Sequence, residues 1–421
     1  MPVYDALKAS DPDVYRALIG EMRRQAEGVE LICSENYVSP AVLEIMGSVF
    51  NNKYSEGYPG RRYYGGQEFT DAVETLAIER AKQLFHAGHA NVQPHAGAPA
   101  NIATYFALME PGDTIMGMDL SHGGHLTHGH PVTYITKIFK FVRYKMKDVE
   151  TGELDYDEMR EVAKREKPKV IMAGYSAYPR EVNYAAIRSI ADEVGAVAIM
   201  DMAHVAGLIA GGVHRNPFDD GFDICLTTTH KTLRGPRGGM ILCRDGELGK
   251  KIDKMVFPGF QGGPIMQMVA AKAVAFGEAL RPEFRDYAAQ IIRNSKHLAK
   301  IFMDHGVKLI TNGTDNHLLL VDCVKSWNMA GNEVEHLFDS INITLNKNMI
   351  ADDPRKPMDP SGVRLGTPAI TTRGMKEKEM EVLAGFMLAA IEKRGNATAM
   401  RDIREDVKRF CLKFPVPGVT L

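Results

Sequence analysis

The chain has 421 residues and a nearly balanced charge, with 51 basic and 53 acidic side chains. This length supports roughly two or three domains, and a net charge of −2 gives no electrostatic basis for binding nucleic acid or an anionic membrane. There is no signal-peptide pattern and no apolar run of membrane-spanning length. The five cysteines are scattered and odd in number, which argues against a disulfide framework. We therefore expect a soluble cytoplasmic α/β protein.

The N-terminal part of the chain is predicted to contain two helices followed by a long loop. Asp11 and Pro12 have the pattern of an N-cap with proline at the first helical position, and Gly28 ends that helix. A shorter helix begins at Pro40. Residues 51–68, which we call the tyrosine loop, are rich in Gly, Tyr and Asn. An ordered loop of this length is usually functional.

Helix and strand patterns alternate after the tyrosine loop. The predicted helices cover 70–85 and 184–194, and another runs from a turn at 97–99 to residue 109. The predicted strands cover 91–93, 114–118, 170–175, 196–200, 222–226 and 240–243. Such alternation implies a mainly parallel sheet that binds ligands at the carboxyl ends of its strands. Neither GxGxxG nor GxxxxGK[ST] occurs, so the dinucleotide and P-loop fingerprints are absent.

A second region follows a long helical stretch. Further helices are predicted at 265–280, 284–305, 377–393 and 402–412, and strands at 318–321 and 343–345. We predict an N-terminal arm with the active-site loop over 1–69, a large domain over 70–283 and a small C-terminal domain over 284–421.

One lysine, Lys231, stands in the stretch TTTHKTLRGPRGG, residues 227–239, between two predicted strands. A lysine at a strand end among small residues can lose solvation and have its pKa lowered, which makes it a candidate Schiff-base nucleophile. Spacing alone favours the simpler interpretation of a surface lysine in a polar turn.

Asp201 lies at the end of a predicted strand, in an apolar stretch that also contains His204. A carboxylate there is costly unless it meets a partner. Two interpretations remain open from the residues: a contact to a protonated cofactor ring nitrogen, or an ion pair or cap at the strand end. His204 is either a neighbour of such a ring or a hydrogen-bonded core histidine.

Two further segments are candidate ligand-binding sites. Residues 94–101, which we call the small-residue turn, open a predicted helix, and free N–H groups at a helix N-terminus suit an anion; an ordinary helix start explains the pattern too. Four histidines crowd one loop, at positions 122, 125, 128 and 130. No cysteine or carboxylate stands among them and HExxH is absent, so we expect no metal.

Seven segments in this order resemble the serine hydroxymethyltransferase family, which uses pyridoxal 5'-phosphate. They are LICSENY (31–37), EGYPGRRYYGG (56–66), HGGHLTHG (122–129), DMAHVAG (201–207), the lysine stretch 227–239, FPGFQGGP (257–264) and RLGTPAI (364–370). The resemblance implies the aspartate-aminotransferase-like fold type I, with a mainly parallel seven-stranded sheet, helices on both faces and a smaller C-terminal α+β domain. It also implies a homodimer whose active sites are shared between subunits.

The resemblance also implies roles for individual residues. Lys231 carries the cofactor, Asp201 pairs with its ring nitrogen, His125 stacks on the ring and Arg364 binds the substrate carboxylate. The implied catalytic residues are Lys231, Glu56, His204, Asp201, Tyr64 and His230. The implied cofactor contacts are Tyr54, Gly97, Ala98, His125, Ser176, Asp201, His204, Thr228, Lys231, Arg237, Gly262 and Gly263. Substrate contacts are Ser34, Glu56, Tyr64 and Arg364, and folate contacts are Glu56, Tyr63, Tyr64, Leu120, Gly124, His125, Leu126 and Asn348.

The implied reaction is the reversible conversion of L-serine and tetrahydrofolate to glycine and 5,10-methylenetetrahydrofolate, with tetrahydrofolate as co-substrate. A folate-independent aldolase or transaldolase acting on threonine-like or α-methyl amino acids is the main alternative. The retained folate positions Glu56, Tyr64, Leu126 and Asn348 argue against it. The second alternative is an inactive homologue that acts as a binding protein, and the presence of both Lys231 and Asp201 argues against that.

The chain departs from the family pattern in the small-residue turn. The family usually carries serines on either side of the central glycine, and here Ala96 and Ala98 stand there. Both keep a backbone donor but lack a hydroxyl, and each hydrogen bond lost to a charged group is worth about 1.5–3 kcal/mol. Ser176, Thr228 and Gly263 remain as contributors, so we expect cofactor affinity to depend on them.

Overall fold

A computed structural model describes residues 4–420. In chain order its α-helices are α1 (Asp5–Ser10), α2 (Pro12–Glu27), α3 (Pro40–Met46), α4 (Glu68–Phe85), α5 (Gly97–Leu108), α6 (Tyr156–Glu166), α7 (Tyr184–Val194), α8 (Ala206–Ala210), α9 (Gly246–Lys254), α10 (Met266–Ala279), α11 (Pro282–Asp304), α12 (Cys323–Trp327), α13 (Gly331–Asp339), α14 (Pro368–Thr372), α15 (Glu377–Glu392) and α16 (Ala397–Cys411).

The strands in chain order are β1 (Val29–Glu30), β2 (Gly57–Tyr58), β3 (Arg61–Arg62), β4 (His89–Asn91), β5 (Thr114–Met118), β6 (Lys140–Tyr144), β7 (Val170–Gly174), β8 (Val197–Asp201), β9 (Ile224–Thr228), β10 (Gly239–Cys243), β11 (Leu318–Asp322), β12 (Ile343–Thr344), β13 (Asn346–Asn348) and β14 (Gly362–Gly366). Short 3-10 segments cover Val49–Asn52, Leu120–His122, Leu126–His128, Tyr134–Lys137, Pro217–Asp220 and Ile310–Asn312.

The chain divides into two compact units. The sheet unit is Ala41–Ala289, and the terminal unit is the described part of Met1–Pro40 together with that of Gln290–Leu421. The domain bounds given above remain predictions. No helix within residues 4–420 is long and apolar enough to cross a membrane. The five cysteines, all within that span, are buried, and none forms a disulfide.

A seven-stranded mixed sheet forms the centre of the sheet unit, in the order β4-β10-β9-β8-β7-β5-β6. β10 runs antiparallel to β9 and to β4, and the other neighbouring pairs are parallel. The prediction of a strand at 114–118 and a helix at 184–194 is confirmed. The strand predicted at 91–93 was misplaced and is β4.

The edge strand β6 was missed by the sequence analysis. Its sequence KFVRY has no apolar run, and only its last residue is buried, since an edge strand contacts the core along part of its length. Helix α6 was not predicted either. Its sequence is highly charged and only Met159 and Ala163 are buried, so the apolar periodicity is weak.

Three strand ends meet at one edge of the sheet and place the candidate site. Gly174 pairs with Asp201, and Asp201 pairs with Leu226, so β7, β8 and β9 end side by side. A methyl group built on Gly174 would lie 2.3 Å from the carbonyl oxygen of Asp201, and the φ of Gly174 is +122°. Only glycine fits that close approach. Apolar residues of these strands, among them Met172, pack into the core of the unit.

The terminal unit has its own core and its own sheets. β11, β14 and β13 form an antiparallel three-stranded sheet, and β1 pairs parallel with β12. The strand predicted at 343–345 ends one residue earlier, and the helix predicted at 402–412 begins at Ala397. Buried apolar residues of these strands and helices, such as Leu319, Phe338 and Leu383, form one cluster.

Arg373 joins the two ends of the chain within the terminal unit. Its guanidinium donates to the carbonyl oxygens of Gln25, Ala26 and Gly28 near the end of α2, and to those of Cys411 and Phe414 near the end of α16. Arg373 is 5% exposed. Carbonyl groups at a helix C-terminus lack intrahelical partners, and a cation there also meets the negative end of the helix dipole.

We predict that Arg373→Met lowers the free energy of unfolding by about 3 kcal/mol or more, because several buried carbonyl groups lose their donor. Denaturant titration of the protein, followed by circular dichroism, measures the change. Arg409→Met is the matched control, since the Arg409 side chain is 68% exposed and should alter stability by less than about 0.5 kcal/mol. Equal effects of the two substitutions would contradict the assignment.

Candidate active site

Lys231 lies in the loop between β9 and β10, next to Thr232, which makes three hydrogen bonds. The hydroxyl of Thr232 donates to the carbonyl oxygen of His204 at 2.8 Å and accepts from the N–H of Gly207 at 2.9 Å. The Tyr287 hydroxyl donates to the carbonyl oxygen of Thr232 at 3.2 Å. A methyl group on Gly207 would lie 2.1 Å from that same oxygen, so the backbones touch. These contacts of Thr232 hold the backbone at Lys231 in place.

The turn after Lys231 is held by an arginine with unusual backbone geometry. Arg234 has a φ of +58°, and its N–H donates to the carbonyl oxygen of Lys231 at 3.0 Å. Its guanidinium carbon lies 4.3 Å from the ring centroid of Tyr287 and 5.5 Å from that of Phe284. Two cation–π contacts offset the cost of the left-handed backbone.

His230 is the uncharged neighbour of Lys231. Burial, together with the positive charges of Lys231 and Arg237, lowers the pKa of His230 to about 3. Its Nδ1 atom is buried and has no hydrogen-bond partner among residues 4–420. A neutral imidazole therefore stands beside the lysine at physiological pH. Arg237 itself is exposed.

Asp201 is a carboxylate kept ionised in the interior. Its Oδ2 atom accepts from the Nδ2 of Asn101 at 2.9 Å and lies 3.2 Å from the Nε2 of His128, and its Oδ1 atom accepts from the N–H of Ala203 at 3.1 Å. The side chain is 12% exposed. Burial alone would raise its pKa, but His128, the charge of His125 and the bond from Asn101 hold the pKa of Asp201 well below its usual range.

The network continues from Asp201 into the histidine loop, residues 119–130. Asn101 also donates to the hydroxyl oxygen of Thr127 at 2.8 Å, and that oxygen lies 2.7 Å from the Nδ1 of His125. The hydroxyl of Ser176 donates to the carbonyl oxygen of Gly124 at 2.8 Å. His125 is thus linked to Asp201 through Thr127 and Asn101, and Ser176 binds the backbone next to His125; their cofactor contacts remain predictions.

The remaining positions of the histidine loop differ in exposure. Gly124 is buried, and a methyl group on it would lie 2.2 Å from the carbonyl oxygen of Met118. Leu120 is half-buried, and Leu126 is 44% exposed. One ligand atom each from His125, His128 and Asp201 lie within 4.8 Å of one another, close enough for a metal. The hydrogen bonds just described already engage these groups, and the absence of a metal remains a prediction.

The small-residue turn begins α5 and forms a cradle with β9. Ala96 is the N-cap of α5 and makes no side-chain cap bond. A methyl group on Gly97 would lie 2.7 Å from the Cγ2 of Thr228, and the buried Oγ1 of Thr228 has no hydrogen-bond partner within residues 4–420. A helix N-terminus and an unpartnered hydroxyl beside a glycine fit a bound anion such as phosphate. Ala98 is exposed and adds no hydroxyl.

The tyrosine loop packs against the glycines that follow α9. The Tyr54 and Tyr64 rings meet edge to face at 5.6 Å, and the charge of Glu56 raises the pKa of Tyr64. A methyl group on Gly262 would lie 3.4 Å from the Oε1 of Glu56, and one on Gly263 would lie 3.3 Å from the Tyr54 ring. These five predicted residues form one group in the sheet unit. Tyr54 is 57% and Tyr64 49% exposed.

Tyr63 makes a contact of its own. Its ring packs edge-on against Phe257 at 5.6 Å, and it is 73% exposed. The folate contact that the resemblance implied for Tyr63 remains a prediction.

Three predicted residues belong to the terminal unit. Arg364 lies in the middle of β14, paired with Leu320 and Asn346, and its Nε and Nη2 atoms are each 3.2 Å from the Oδ1 of Asn346. Asn348 ends β13 and donates to the carbonyl oxygen of Met349 at 2.6 Å. Ser34 is half-buried after β1. Arg364 was not predicted to lie in a strand, because the pattern GVRLG is short and flanked by glycines.

Comparison with known proteins assigns the chain to a family. The profile of the family described as serine hydroxymethyltransferase matches residues 7–387. A protein named serine hydroxymethyltransferase from Nostoc sp. is 53% identical over 412 residues, which cover 98% of this chain and 96% of the relative. One of the same name from Acidobacterium capsulatum is 54% identical over 414 residues, with the same coverage. The chain belongs to the serine hydroxymethyltransferase family.

Asn101, Thr127 and His128 were missed as site residues by the sequence analysis. Asn101 closes the small-residue turn and His128 belongs to a matched motif, so both stood within segments already selected. Their convergence on Asp201 depends on the order of the strands, which local patterns do not reveal.

We predict that His128→Phe destabilises the protein by about 1–3 kcal/mol at neutral pH, because the buried Asp201 carboxylate loses a charge-assisted partner. The pKa of Asp201 is depressed in the folded protein, so this stability is present above the ordinary Asp pKa and is lost as pH falls through the folded-state value. Denaturant titrations at neutral and acid pH measure both effects.

A double-mutant cycle with Asp201→Asn isolates the pair, and His130→Phe serves as the control within the histidine loop. A zero coupling energy between positions 128 and 201 would contradict the prediction.

Proposed function

We propose that the protein catalyses the reversible conversion of L-serine and tetrahydrofolate to glycine and 5,10-methylenetetrahydrofolate. The observation that carries this proposal is the ionised, hydrogen-bonded Asp201 on the strand beside the one that leads to Lys231, in a chain of this family. Relatives named for the activity match almost its full length.

The residues present fit pyridoxal 5'-phosphate as the cofactor. The cradle of Gly97 and the unpartnered Thr228 hydroxyl suits its phosphate, and the ionised Asp201 suits a protonated ring nitrogen. His125, which contacts Thr127 of the same network, would stack on the ring. Lys231 would carry the cofactor on its ε-amino group. When bound, pyridoxal phosphate supplies an electron sink for the bond electrons released as the hydroxymethyl carbon leaves.

The side chains around the cofactor would each have a separate role in binding it and in controlling charge. Asp201, held ionised by Asn101 and His128, would keep the proton on the ring nitrogen. His204, buried and anchored through its carbonyl to Thr232, would lie beside the ring. His230 would provide a neutral neighbour, so no second full charge is added next to the lysine amine.

The amino acid and folate would be bound by the positions that match the family's substrate and folate contacts. Arg364 would grip the substrate carboxylate with two N–H groups, with Ser34 beside it. Glu56 would transfer the proton at the hydroxymethyl oxygen or at folate, and its partner Tyr64 would orient that oxygen. The folate contacts proposed are the remaining matched positions Tyr63, Leu120, Gly124, His125, Leu126 and Asn348.

We further propose a homodimer in which the tyrosine loop and the neighbouring glycines complete the site of the partner subunit. The exposure of Tyr54 and Tyr64, which are large and otherwise close-packed with each other, supports this. The fold proposed is type I of the pyridoxal-phosphate enzymes, with helices on both sheet faces and a smaller α+β C-terminal domain. A cytoplasmic location is also proposed.

The direct test of the cofactor site is covalent trapping. Protein incubated with pyridoxal phosphate, reduced with borohydride and mapped by peptide mass spectrometry should carry the pyridoxyl group on Lys231. Lys272 is the informative comparison, because it is buried and its pKa is lowered to about 7. Lys231→Gln should abolish the label, and a label on Lys272 would contradict the assignment.

Labelled serine then tests the reaction itself. Glycine should form, and the labelled carbon should move to folate, only when tetrahydrofolate is present. Serine cleavage at the same rate without folate would favour the folate-independent aldolase.

We predict that Arg364→Ala lowers kcat/KM for serine by about a hundredfold or more while pyridoxal phosphate stays bound, because a bidentate charge-assisted contact is lost. Steady-state kinetics and the cofactor absorbance measure the two quantities. Arg355→Ala is the control in the same unit, since Arg355 pairs with Asp359 at the surface. Near-normal kcat/KM in Arg364→Ala would show that the carboxylate is held elsewhere.

A further inference from the structure

Lys272 is a buried lysine that the proposed reaction does not use. It lies on α10 and is 2% exposed. Its Nζ atom donates to the carbonyl oxygens of Val92 at 2.6 Å, Gly239 at 2.8 Å and Pro94 at 3.2 Å. An ammonium group has three N–H donors, so these carbonyls can take all of them. The group is therefore arranged to hold backbone rather than to act as a nucleophile.

The three carbonyl groups surround the base of the small-residue turn. The N–H of Gly239 donates to the carbonyl oxygen of Pro94 at 3.0 Å, and a methyl group on Gly239 would lie 2.3 Å from the carbonyl oxygen of Ala96. A methyl group on Gly238 would lie 2.5 Å from the Cε of Lys272. The ammonium, the start of β10 and the turn are thus in direct contact, and Ala96 is the N-cap of α5.

We propose that Lys272 is a positioning residue for the phosphate of the cofactor. Its ammonium clamps the small-residue turn to β10, which sets the direction of the N–H groups at the start of α5, and its charge favours a dianion nearby. This inference rests on the proposed function. Ala96 and Ala98 add no hydroxyl, so the turn itself offers the phosphate only its backbone N–H groups, and their direction matters the more.

The charges that face Lys272 make the clamp dependent on pH. Burial lowers the pKa of Lys272 to about 7, and the charge of Glu74 on α4, itself paired with Arg62, opposes that shift. His95 in the turn has a pKa lowered by burial and by the charge of Lys272. Arg237, His95 and Lys272 line one cavity beside the turn. A neutral amine has one N–H donor fewer than the carbonyl groups it faces.

The sign of the pH effect follows from linkage. Phosphate binding favours charged Lys272, so binding raises the lysine pKa above its value in the free protein. Affinity for the phosphate is then full below about pH 7 and is lost as pH rises through the pKa of the loaded protein.

The first experiment compares pyridoxal phosphate with pyridoxal, which lacks the phosphate. Absorbance titration of the cofactor-free protein gives both dissociation constants. Lys272→Met should weaken pyridoxal phosphate about tenfold or more and pyridoxal less than about threefold. Lys250→Met, whose lysine side chain is 75% exposed, should change neither constant. Equal weakening of both ligands, or no weakening of pyridoxal phosphate, would overturn the proposal.

The second experiment uses the unaltered protein, so it tests the role of Lys272 in phosphate binding even if Lys272→Met does not fold. Calorimetry in two buffers at about pH 8, where free phosphate is already dianionic, counts the protons taken up on binding. The binding of pyridoxal phosphate should be accompanied by the uptake of a fraction of a proton more than the binding of pyridoxal. Equal proton uptake for the two ligands would overturn the role of Lys272 alone, whereas a protein that binds neither ligand at Lys231 would overturn the proposed function itself.

Discussion

A negative charge kept inside the sheet unit is the constraint on which the site depends. Taking the Asp201 carboxylate out of water costs several kcal/mol, and Asn101, His128 and the backbone of Ala203 offset that cost. Each of those donors comes from a different segment, so α5, the histidine loop and the residues after β8 must all be in place together. The same requirement links His125 to the carboxylate through Thr127 and Asn101.

Much of the fold was readable from the sequence because its buried strands and amphipathic helices carry strong patterns. β5 and α7 were predicted to the residue, and Asp201 does end its strand. β6, α6 and the strand carrying Arg364 were not predicted, since an edge strand, a highly charged helix and a glycine-flanked strand give weak periodicity. Strand order, with β10 reversed between β9 and β4, is a property of non-local pairing that no local pattern contains.

The site was predicted less evenly than the fold. Lys231 and Asp201 were chosen by position at strand ends, but their roles came from the resemblance. Lys272 was overlooked, because within the apolar stretch of α10 a single lysine is indistinguishable from one that extends to solvent. Its function as a clamp rests on carbonyl groups, and backbone acceptors leave no mark in the sequence. Buried cations that bind backbone are therefore the features most easily lost in sequence reasoning.

The clamp made by Arg373 also constrains the order in which the protein can be built. The arginine stands 347 residues from its carbonyl partner at Ala26, and the whole sheet unit separates the two. A ribosome releases the N-terminal segment long before Arg373, which follows α14, and helix α16 have been synthesised. The sheet unit can acquire its core during synthesis, whereas the terminal unit closes only after the last helix emerges. Until then Val29 of β1 and the neighbouring Leu31 lack the core that buries them, and that interval is when a nascent chain of this design most needs protection from aggregation.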